Sequence, residues 1–146
     1  MFVTETQVRV HYALTDQMGF VYYGHYAQFY EIGRNESIRT LGFSYKDIEA
    51  MGIIIPVVDL HIRYIRPARY DDLLTIRTSL KHFPEDHKLV FHTDIYNEKD
   101  EWLNSGTTTL FCLDAKTQQK TSMPTALSDR FRPYFGSSSA NSSVAE

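Results

Sequence analysis

A single cysteine, Cys112, is the first scarcity of this 146-residue chain, and it excludes a disulfide within the chain. Long hydrophobic runs are missing as well, because the longest, over residues 53–58, is interrupted by Pro56 and is far too short to cross a bilayer. The first residues also lack the basic stretch and apolar segment of a secretory signal. We therefore expect a cytoplasmic protein with no membrane role.

Positive charge is scarce too. The formal net charge is -3, whereas proteins that bind nucleic acid usually carry a basic excess, so recognition of duplex nucleic acid is not expected. The six histidines are scattered, and only Asp59 and His61 have a spacing that would let two side chains share a metal. Solvated side chains are favoured there over a metal site, and Cys112 is expected to be a buried thiol rather than a nucleophile.

The composition suits one domain. Hydrophobic residues make up 42% of the chain, which is enough apolar surface for one core at this length. We expect that domain over residues 1–135. A flexible tail is expected over 136–146, where a sequence rich in Ser, Ala and Asn has little to bury.

Helical spacing predicts one long helix over residues 25–41. Its apolar stripe comprises Tyr26, Phe29, Tyr30, Gly33, Ser37, Ile38 and Leu41, and its polar residues Gln28, Glu31, Arg34, Asn35 and Arg39 lie mostly elsewhere. Gly33 would let the helix approach a sheet closely, and Gly42 would end it. A capping box formed by Ser44 and Asp47 predicts a short second helix, and a terminal helix is expected over 126–135.

Alternation of apolar and polar residues predicts a first strand over residues 4–12. The same pattern predicts strands around 58–64, 74–80, 89–95 and 102–113, each with one apolar face. Short turns between successive strands favour antiparallel pairing. One helix covers such a sheet poorly and its edges stay open, so we expect association with an identical subunit.

The most informative residue is Asp16, which lies in the loop over residues 15–24 between the first strand and the long helix. A helix N-terminus presents unpaired N–H groups and a partial positive charge, which can polarise a carbonyl that a neighbouring carboxylate attacks or hydrates. This placement indicates acyl chemistry without serine, cysteine or metal. Asp16 and Gly19 also fit the first and fourth positions of an ordinary type I turn, which is the alternative role.

The loop and helix together carry a motif that resembles the signature of hotdog-fold acyl-CoA thioesterases, most closely the 4-hydroxybenzoyl-CoA thioesterase type. The motif reads Asp16-x-x-Gly19-x-Val21-Tyr22-x-x-x-Tyr26-x-x-Phe29-Tyr30-Glu31-x-x-Arg34. The likeness runs from about Val8 to Pro124 and includes the segment 64–72. It implies an α+β hotdog fold, in which an antiparallel sheet of about five to six strands wraps around one long helix. It also implies a dimer or tetramer with thioester hydrolysis at the surface between subunits.

The resemblance further assigns roles to residues. Asp16 matches the essential carboxylate of the family, and the backbone N–H of Tyr23 matches the oxyanion donor, with Gly24 or His25 as helpers. The residues expected to contact substrate are Gly19, Phe20, Val21, Tyr22, Gly24, His25, Tyr26, Arg63, Arg66 and Arg69. The three arginines, together with Lys88, are the candidates for binding the phosphates of CoA. Acyl-CoA is the expected small-molecule substrate, and no separate cofactor or metal is expected.

Several alternatives stay open at the level of sequence. Asp16 could attack the thioester directly or act as a base for water. Glu31 is a reserve acid that more simply pairs with Arg34, Asn35 or solvent. The chain could also bind acyl-CoA without cleaving it, or take its acyl group from an acyl carrier protein.

Overall fold

The computed structural model describes residues 1–136, so the predicted tail falls outside the described residues from position 137 onward. The strands are β1 (Phe2–Arg9), β2 (Ile53–Ile54), β3 (Val57–Tyr64), β4 (Leu73–Leu80), β5 (Lys88–Tyr96), β6 (Trp102–Phe111) and β7 (Leu113–Asp114). The α-helices are α1 (Tyr26–Thr40), α2 (Tyr45–Ala50) and α3 (Thr125–Phe131). The expected α+β class, with one long helix and a sheet, is confirmed.

Five strands form the main sheet in the order β1-β4-β5-β6-β3, and every neighbouring pair is antiparallel. The prediction of antiparallel pairing is therefore confirmed. Pairing between successive strands, which the short turns favour, fails at one point, because β3 does not pair with its successor β4. It lies instead at the far edge of the sheet beside β6, while β2 and β7 form a separate short pair.

The long helix α1 packs against the sheet at β1, β4 and β5. Its predicted apolar stripe is buried throughout. Gly33 allows the close approach, since a Cβ at this position would lie 2.8 Å from Ile76 Cγ2 and closer still to Thr78 Oγ1. The prediction for Gly33 is confirmed, and the hotdog arrangement follows from this helix seated directly on the sheet.

Arg34 differs from its prediction. It was expected among the polar residues away from the core, but only 6% of its surface is exposed. Its Nη1 donates to Thr108 Oγ1 at 3.4 Å, and Nε has no partner among residues 1–136. The long side chain reaches Thr108 on β6, so position on the helix wheel alone does not predict its burial.

The strand β3 also departs from its prediction of one dry face. Val58, Leu60 and Tyr64 are exposed over 48%, 41% and 50% of their surfaces. The reason is the position of β3 at the sheet edge, and a register shift between Val57 and Asp59 interrupts its pairing with β6. An apolar strip along a free strand edge is therefore open in the single chain.

Helix and strand ends show where local signals were sufficient. Ser44 and Asp47 form both bonds of the predicted capping box, and Gly42 has a φ of 90° at the end of α1. The first strand ends at Arg9 rather than at Tyr12, because Val10 exchanges backbone hydrogen bonds with the turn at 71–72. Within residues 1–136, no helix combines the length and the apolar character that crossing a membrane requires.

Candidate active site

The loop after β1 folds back on itself between Thr15 and Val21, which form an isolated antiparallel bridge. Asp16 N–H donates to the Phe20 carbonyl at 2.8 Å, and Gly19 N–H donates to the Asp16 carbonyl at 3.0 Å. Gly19 adopts a φ of 81°, a conformation that glycine enters without steric cost. The backbone thus holds Asp16 at the base of a tight turn.

The carboxylate of Asp16 is partly exposed and takes part in that turn. Its Oδ1 accepts from Met18 N–H at 2.9 Å and more distantly from Phe20 N–H at 3.4 Å. The second oxygen, Oδ2, makes no bond with any residue in the described part of the chain. The turn role weighed at the sequence level is therefore present, and it leaves one carboxylate oxygen for other chemistry.

The helix begins with a 3-10 turn over Tyr23–His25, which continues into α1. The first N–H groups of a helix have no acceptor within it. His25 N–H is already used, because it donates to the Tyr22 carbonyl at 2.9 Å. The groups left at the helix start are the N–H groups of Tyr23 and Gly24, for which residues 1–136 provide no backbone acceptor.

Asp16 and Tyr23 line one cavity of about 320 Å³. The remaining lining residues are mostly apolar or aromatic: Met18, Phe20, Val21, Tyr26, Tyr64, Ile65, Arg66 and Pro67. A carboxylate and a helix start thus share a pocket with few competing polar groups, as a site for a neutral acyl group requires.

The segment from Tyr64 to Arg69 closes the other side of this cavity. Ala68 ties it to the loop, since Val21 N–H donates to the Ala68 carbonyl at 2.8 Å and Ala68 N–H donates to Tyr26 Oη at 3.1 Å. The guanidinium of Arg69 lies 4.8 Å from the centre of the Phe20 ring. These contacts fix the loop against the end of β3.

Tyr64 is a site residue that sequence reasoning missed. Its hydroxyl donates to the Tyr23 carbonyl at 3.1 Å, and its ring contacts the rings of Tyr23 and Tyr26 edge to face. The only signal in the sequence was its place at the end of a strand with alternating character. Burial raises the pKa of Tyr26 and of Tyr64 above the usual tyrosine value, so both hydroxyls stay protonated near neutral pH.

Other predicted residues lie around this cavity rather than in it. Gly24 and His25 line a neighbouring cavity of about 520 Å³ together with Glu31 and Arg34. The exposed ring of Tyr22 packs against Tyr23 and His25 instead of entering the main cavity. The aromatic residues that line the main cavity are Phe20, Tyr23, Tyr26 and Tyr64.

The three candidate arginines have different positions. Arg66 lines the main cavity and forms an ion pair with Glu101 at 2.9 Å. The side chain of Arg66 is largely exposed. Arg66 and Arg69 together line an adjacent cavity of about 310 Å³. Arg63 is exposed and, by strand alternation, lies on the face of β3 opposite Tyr64. The structure thus brings Arg66 to the main cavity and Arg69 to the adjacent one, and Arg63 lines neither.

The reserve groups take no part in the cavity. Glu31 makes no ion pair with Arg34 within the described range and is exposed, which agrees with solvent, one of the three partners considered for it. Cys112 is buried, and burial raises the pKa of its thiol to about 11, as expected of an inert cysteine. Across residues 1–136 no group of three His, Cys, Asp or Glu side chains is arranged to hold a metal ion.

Comparison with known proteins gives consistent matches. The sequence profile of the thioesterase-like superfamily matches residues 8–131. YneP of Bacillus subtilis is 36% identical over 117 residues, which cover 80% of this chain and 84% of that protein. The acyl-CoA thioester hydrolase YbgC of Escherichia coli O6:H1 is 32% identical over 125 residues, covering 86% and 92%.

Solved structures agree in fold. The DHNA-CoA thioesterase of Staphylococcus aureus superposes with a TM-score of 0.79 at 33% identity, covering 99% of this chain and 92% of that one. The Staphylococcus aureus protein SAV2348, solved in complex with CoA, has a TM-score of 0.83 at 13% identity over 92% of this chain and 84% of that one, a likeness of fold alone.

Proposed function

The chain belongs to the thioesterase-like superfamily, and from that premise we propose that it hydrolyses an acyl-CoA thioester to a free carboxylic acid and CoA. The enzyme class expected from the sequence, a thioester hydrolase, is confirmed by relatives that carry this activity in their names. The single observation that carries the proposal for this chain is that Asp16 and the helix start at Tyr23 line one apolar cavity.

The proposed chemistry uses the helix start to bind the developing oxyanion. The N–H of Tyr23, with that of Gly24, would donate to the thioester oxygen as negative charge develops on it. A thioester carbonyl has weak resonance and a good leaving thiolate, so an oriented carboxylate with such donors is sufficient. No serine or cysteine nucleophile is needed.

Asp16 supplies the carboxylate in either of two ways. In one, its free oxygen attacks the carbonyl carbon, the CoA thiolate leaves, and water then hydrolyses the mixed anhydride to release the acid. In the other, Asp16 takes a proton from water as the water oxygen attacks the same carbon, and the thiolate leaves from the tetrahedral intermediate. Both routes consume one water and yield the same two products.

Substrate binding divides between apolar and charged residues. Phe20, Val21 and Tyr26 would enclose the acyl group, with Gly19 shaping the turn beside it. Arg66 and Arg69 lie at the cavity and its neighbour, where their guanidinium groups would meet the phosphates of CoA. Arg63 remains a candidate only if the outer face of β3 also contacts the nucleotide.

The acyl preference is proposed to follow the aromatic walls. Four rings, from Phe20, Tyr23, Tyr26 and Tyr64, surround the cavity. The resemblance to the 4-hydroxybenzoyl-CoA thioesterase type and the DHNA-CoA activity named for a structural relative both favour an aromatic acyl group. The sequence at 22–25, with two tyrosines before the motif Tyr26, separates this chain from the usual family pattern and makes a substrate panel necessary.

A second copy of the chain is proposed to cover the open edge of β3. Val58 and Leu60 are exposed on this edge strand, whose outer backbone groups have no neighbouring strand within residues 1–136. Pairing with an identical strand would satisfy those groups and bury the apolar side chains. A dimer or tetramer built on this edge is the proposed assembly.

The test is thiol release from a panel of aromatic and aliphatic acyl-CoAs, with wild type, Asp16→Ala and Asp86→Ala. Asp86 is an exposed acid in another loop, with 77% of its side chain accessible, and serves as the matched control. We expect hydrolysis by wild type and Asp86→Ala and loss of at least about 100-fold in Asp16→Ala. Equal rates for wild type and Asp16→Ala would rule out the proposed role.

A non-catalytic acyl-CoA-binding module is the second candidate, and one observation favours it. The carboxylate of Asp16 already serves the turn through Met18 N–H, which alone could explain its presence. Tight binding of acyl-CoA with no hydrolysis across the panel would support this candidate. Comparing CoA and acyl carrier protein as carriers of one acyl group distinguishes the two donors.

A further inference from the structure

We propose that Tyr64 is a positioning residue that holds the oxyanion-binding helix start through the Tyr23 carbonyl. This inference rests on the proposed thioesterase function and adds a residue that the sequence motif does not contain. Tyr64 belongs to the edge strand β3, not to the loop or the helix that carry the motif. Its contact therefore links the main cavity, which Tyr23 and Tyr64 both line, to the helix start at Gly24, which lines the neighbouring cavity.

The helix start lacks the usual stabilising device. Neither Tyr22, before the 3-10 turn, nor His25, before α1, has a side chain that bonds to the first N–H groups. A capping side chain would occupy those N–H groups and leave none for a substrate oxygen. An oxyanion site at a helix start must therefore be held by contacts that do not consume its donors.

Tyr64 makes such a contact from the carbonyl side. Its hydroxyl donates to the Tyr23 carbonyl, which belongs to the same planar peptide group as Gly24 N–H. The preceding peptide group is held in the same manner, because the Tyr22 carbonyl accepts from His25 N–H while its own N–H is that of Tyr23. Fixing both carbonyls fixes both N–H groups, which point in the opposite direction within the same peptide planes.

The ring of Tyr64 is itself held in place. It contacts the Tyr26 ring at 5.4 Å and the Tyr23 ring at 6.4 Å between centroids, edge to face in both cases. Tyr26 is in turn anchored by the bond from Ala68 N–H to its hydroxyl. A short 3-10 turn has poorer hydrogen-bond geometry than an α-helix, so the bond from Tyr64 stabilises a turn that is weak on its own.

A bond to the carbonyl also acts on the donor. Hydrogen bonds in series polarise the groups between them, so a donor on the Tyr23 carbonyl strengthens Gly24 N–H as a donor in turn. Burial raises the pKa of Tyr64, with the nearby Tyr23 hydroxyl as a smaller cause, so the hydroxyl keeps its proton through the neutral range. The contact is thus available throughout the neutral pH range.

The test is Tyr64→Phe, which removes the hydroxyl and keeps the ring. We expect kcat to fall about five- to tenfold while KM stays within about twofold, because the lost bond supports the transition state and not the resting substrate. The matched control is Tyr70→Phe, since Tyr70 is 56% exposed and, among the aromatic rings of residues 1–136, its ring pairs with that of Tyr12. Its kinetics should equal those of wild type.

A second measurement separates positioning from a structural role. An alkyl-CoA thioether lacks the thioester carbonyl, so its dissociation constant reports the shape of the pocket without the oxyanion site. In Tyr64→Phe this constant should stay within about twofold of wild type, even if the melting temperature falls. A reduced kcat with unchanged thioether binding supports the inference.

Two results would overturn it. One is a kcat for Tyr64→Phe equal to that of the Tyr70→Phe control. The other is a proportional loss of kcat and thioether binding, which would mean that the hydroxyl maintains the pocket as a whole. Absence of thioester hydrolysis by wild type is a different result, because it rejects the proposed function before any variant is compared.

Discussion

The close seat of α1 on the sheet predicts the effect of Gly33→Ala. A Cβ at position 33 would lie 2.8 Å from Ile76 Cγ2 and nearer still to Thr78 Oγ1, whereas real Cβ atoms essentially never approach another heavy atom within 3.0 Å. Ile76 and Thr78 are 0% and 1% exposed, so neither side chain has room to withdraw. In Gly33→Ala, either α1 must move away from the sheet or the sheet must bend away from α1.

The magnitude follows from two opposed effects. Overpacking of a buried contact costs about 1–3 kcal/mol, and two such contacts place this site near the upper end. Alanine recovers about 1 kcal/mol over glycine inside a helix. We therefore expect a net loss of about 2 kcal/mol in the free energy of unfolding, or a fall in melting temperature of roughly 4–8 °C for a chain of this size.

Urea unfolding of wild type, Gly33→Ala, Thr78→Ala and the double variant measures this directly. Thr78→Ala removes the nearest obstacle, an oxygen that has no hydrogen-bond partner among the described residues. The double variant should lose less stability than the sum of the single variants by about 0.5 kcal/mol or more. Strict additivity, or a Gly33→Ala variant as stable as wild type, would refute the reasoning.

The remaining predictions concern titration, assembly and capping. Because the pKa of Cys112 rises from 9.0 to about 11, the unfolded chain loses this proton first, so stability should fall by up to about 1.4 kcal/mol per pH unit between those values and less in Cys112→Ala. Leu60→Lys should convert the proposed dimer to monomers in light scattering, and retained dimers would exclude this edge. Ser44→Ala should lower the unfolding free energy by about 1 kcal/mol in urea, whereas an unchanged midpoint would deny the cap a role.

The sequence predicted several features of the helices correctly because each of them depends on residues that are close together in the chain. Gly42 ends α1 through its own backbone conformation, and Ser44 and Asp47 cap α2 within four residues. The apolar stripe of α1 follows from the helical period, which the sequence displays directly. Such features depend on neighbours in the chain, so one sequence is sufficient to find them.

The exposure of β3 shows what local patterns cannot contain. Leu60 and Tyr64 alternate with polar residues as in a half-buried strand, yet both are exposed because β3 lies at the sheet edge beside β6. Alternation gives the period of a strand but not its neighbours in the sheet. Arg34 was misplaced for a related reason, since its burial depends on Thr108, a residue far away in sequence.

The residues of the candidate site also fall into two groups, those indicated by the sequence and those that only the fold brings together. The family resemblance implied roles for Asp16 and Tyr23, and both residues line one cavity. A turn with Asp16 and Gly19 at its first and fourth positions was predicted as well, and Gly19 N–H donates to the Asp16 carbonyl within this turn. Tyr64 reaches Tyr23 across 41 positions of the chain, so no spacing rule could have revealed that contact.

The most direct measurement of the central claim is the kcat of Asp16→Asn on the best acyl-CoA of the panel, with the melting temperature measured in parallel. Asparagine keeps the shape and an oxygen that can still accept from Met18 N–H, so the turn survives while the negative charge is lost. We predict a fall in kcat of at least about 100-fold with a melting temperature unchanged within about 2 °C. A variant that turns over acyl-CoA at the wild-type rate would contradict the account, because the carboxylate would then serve only the turn.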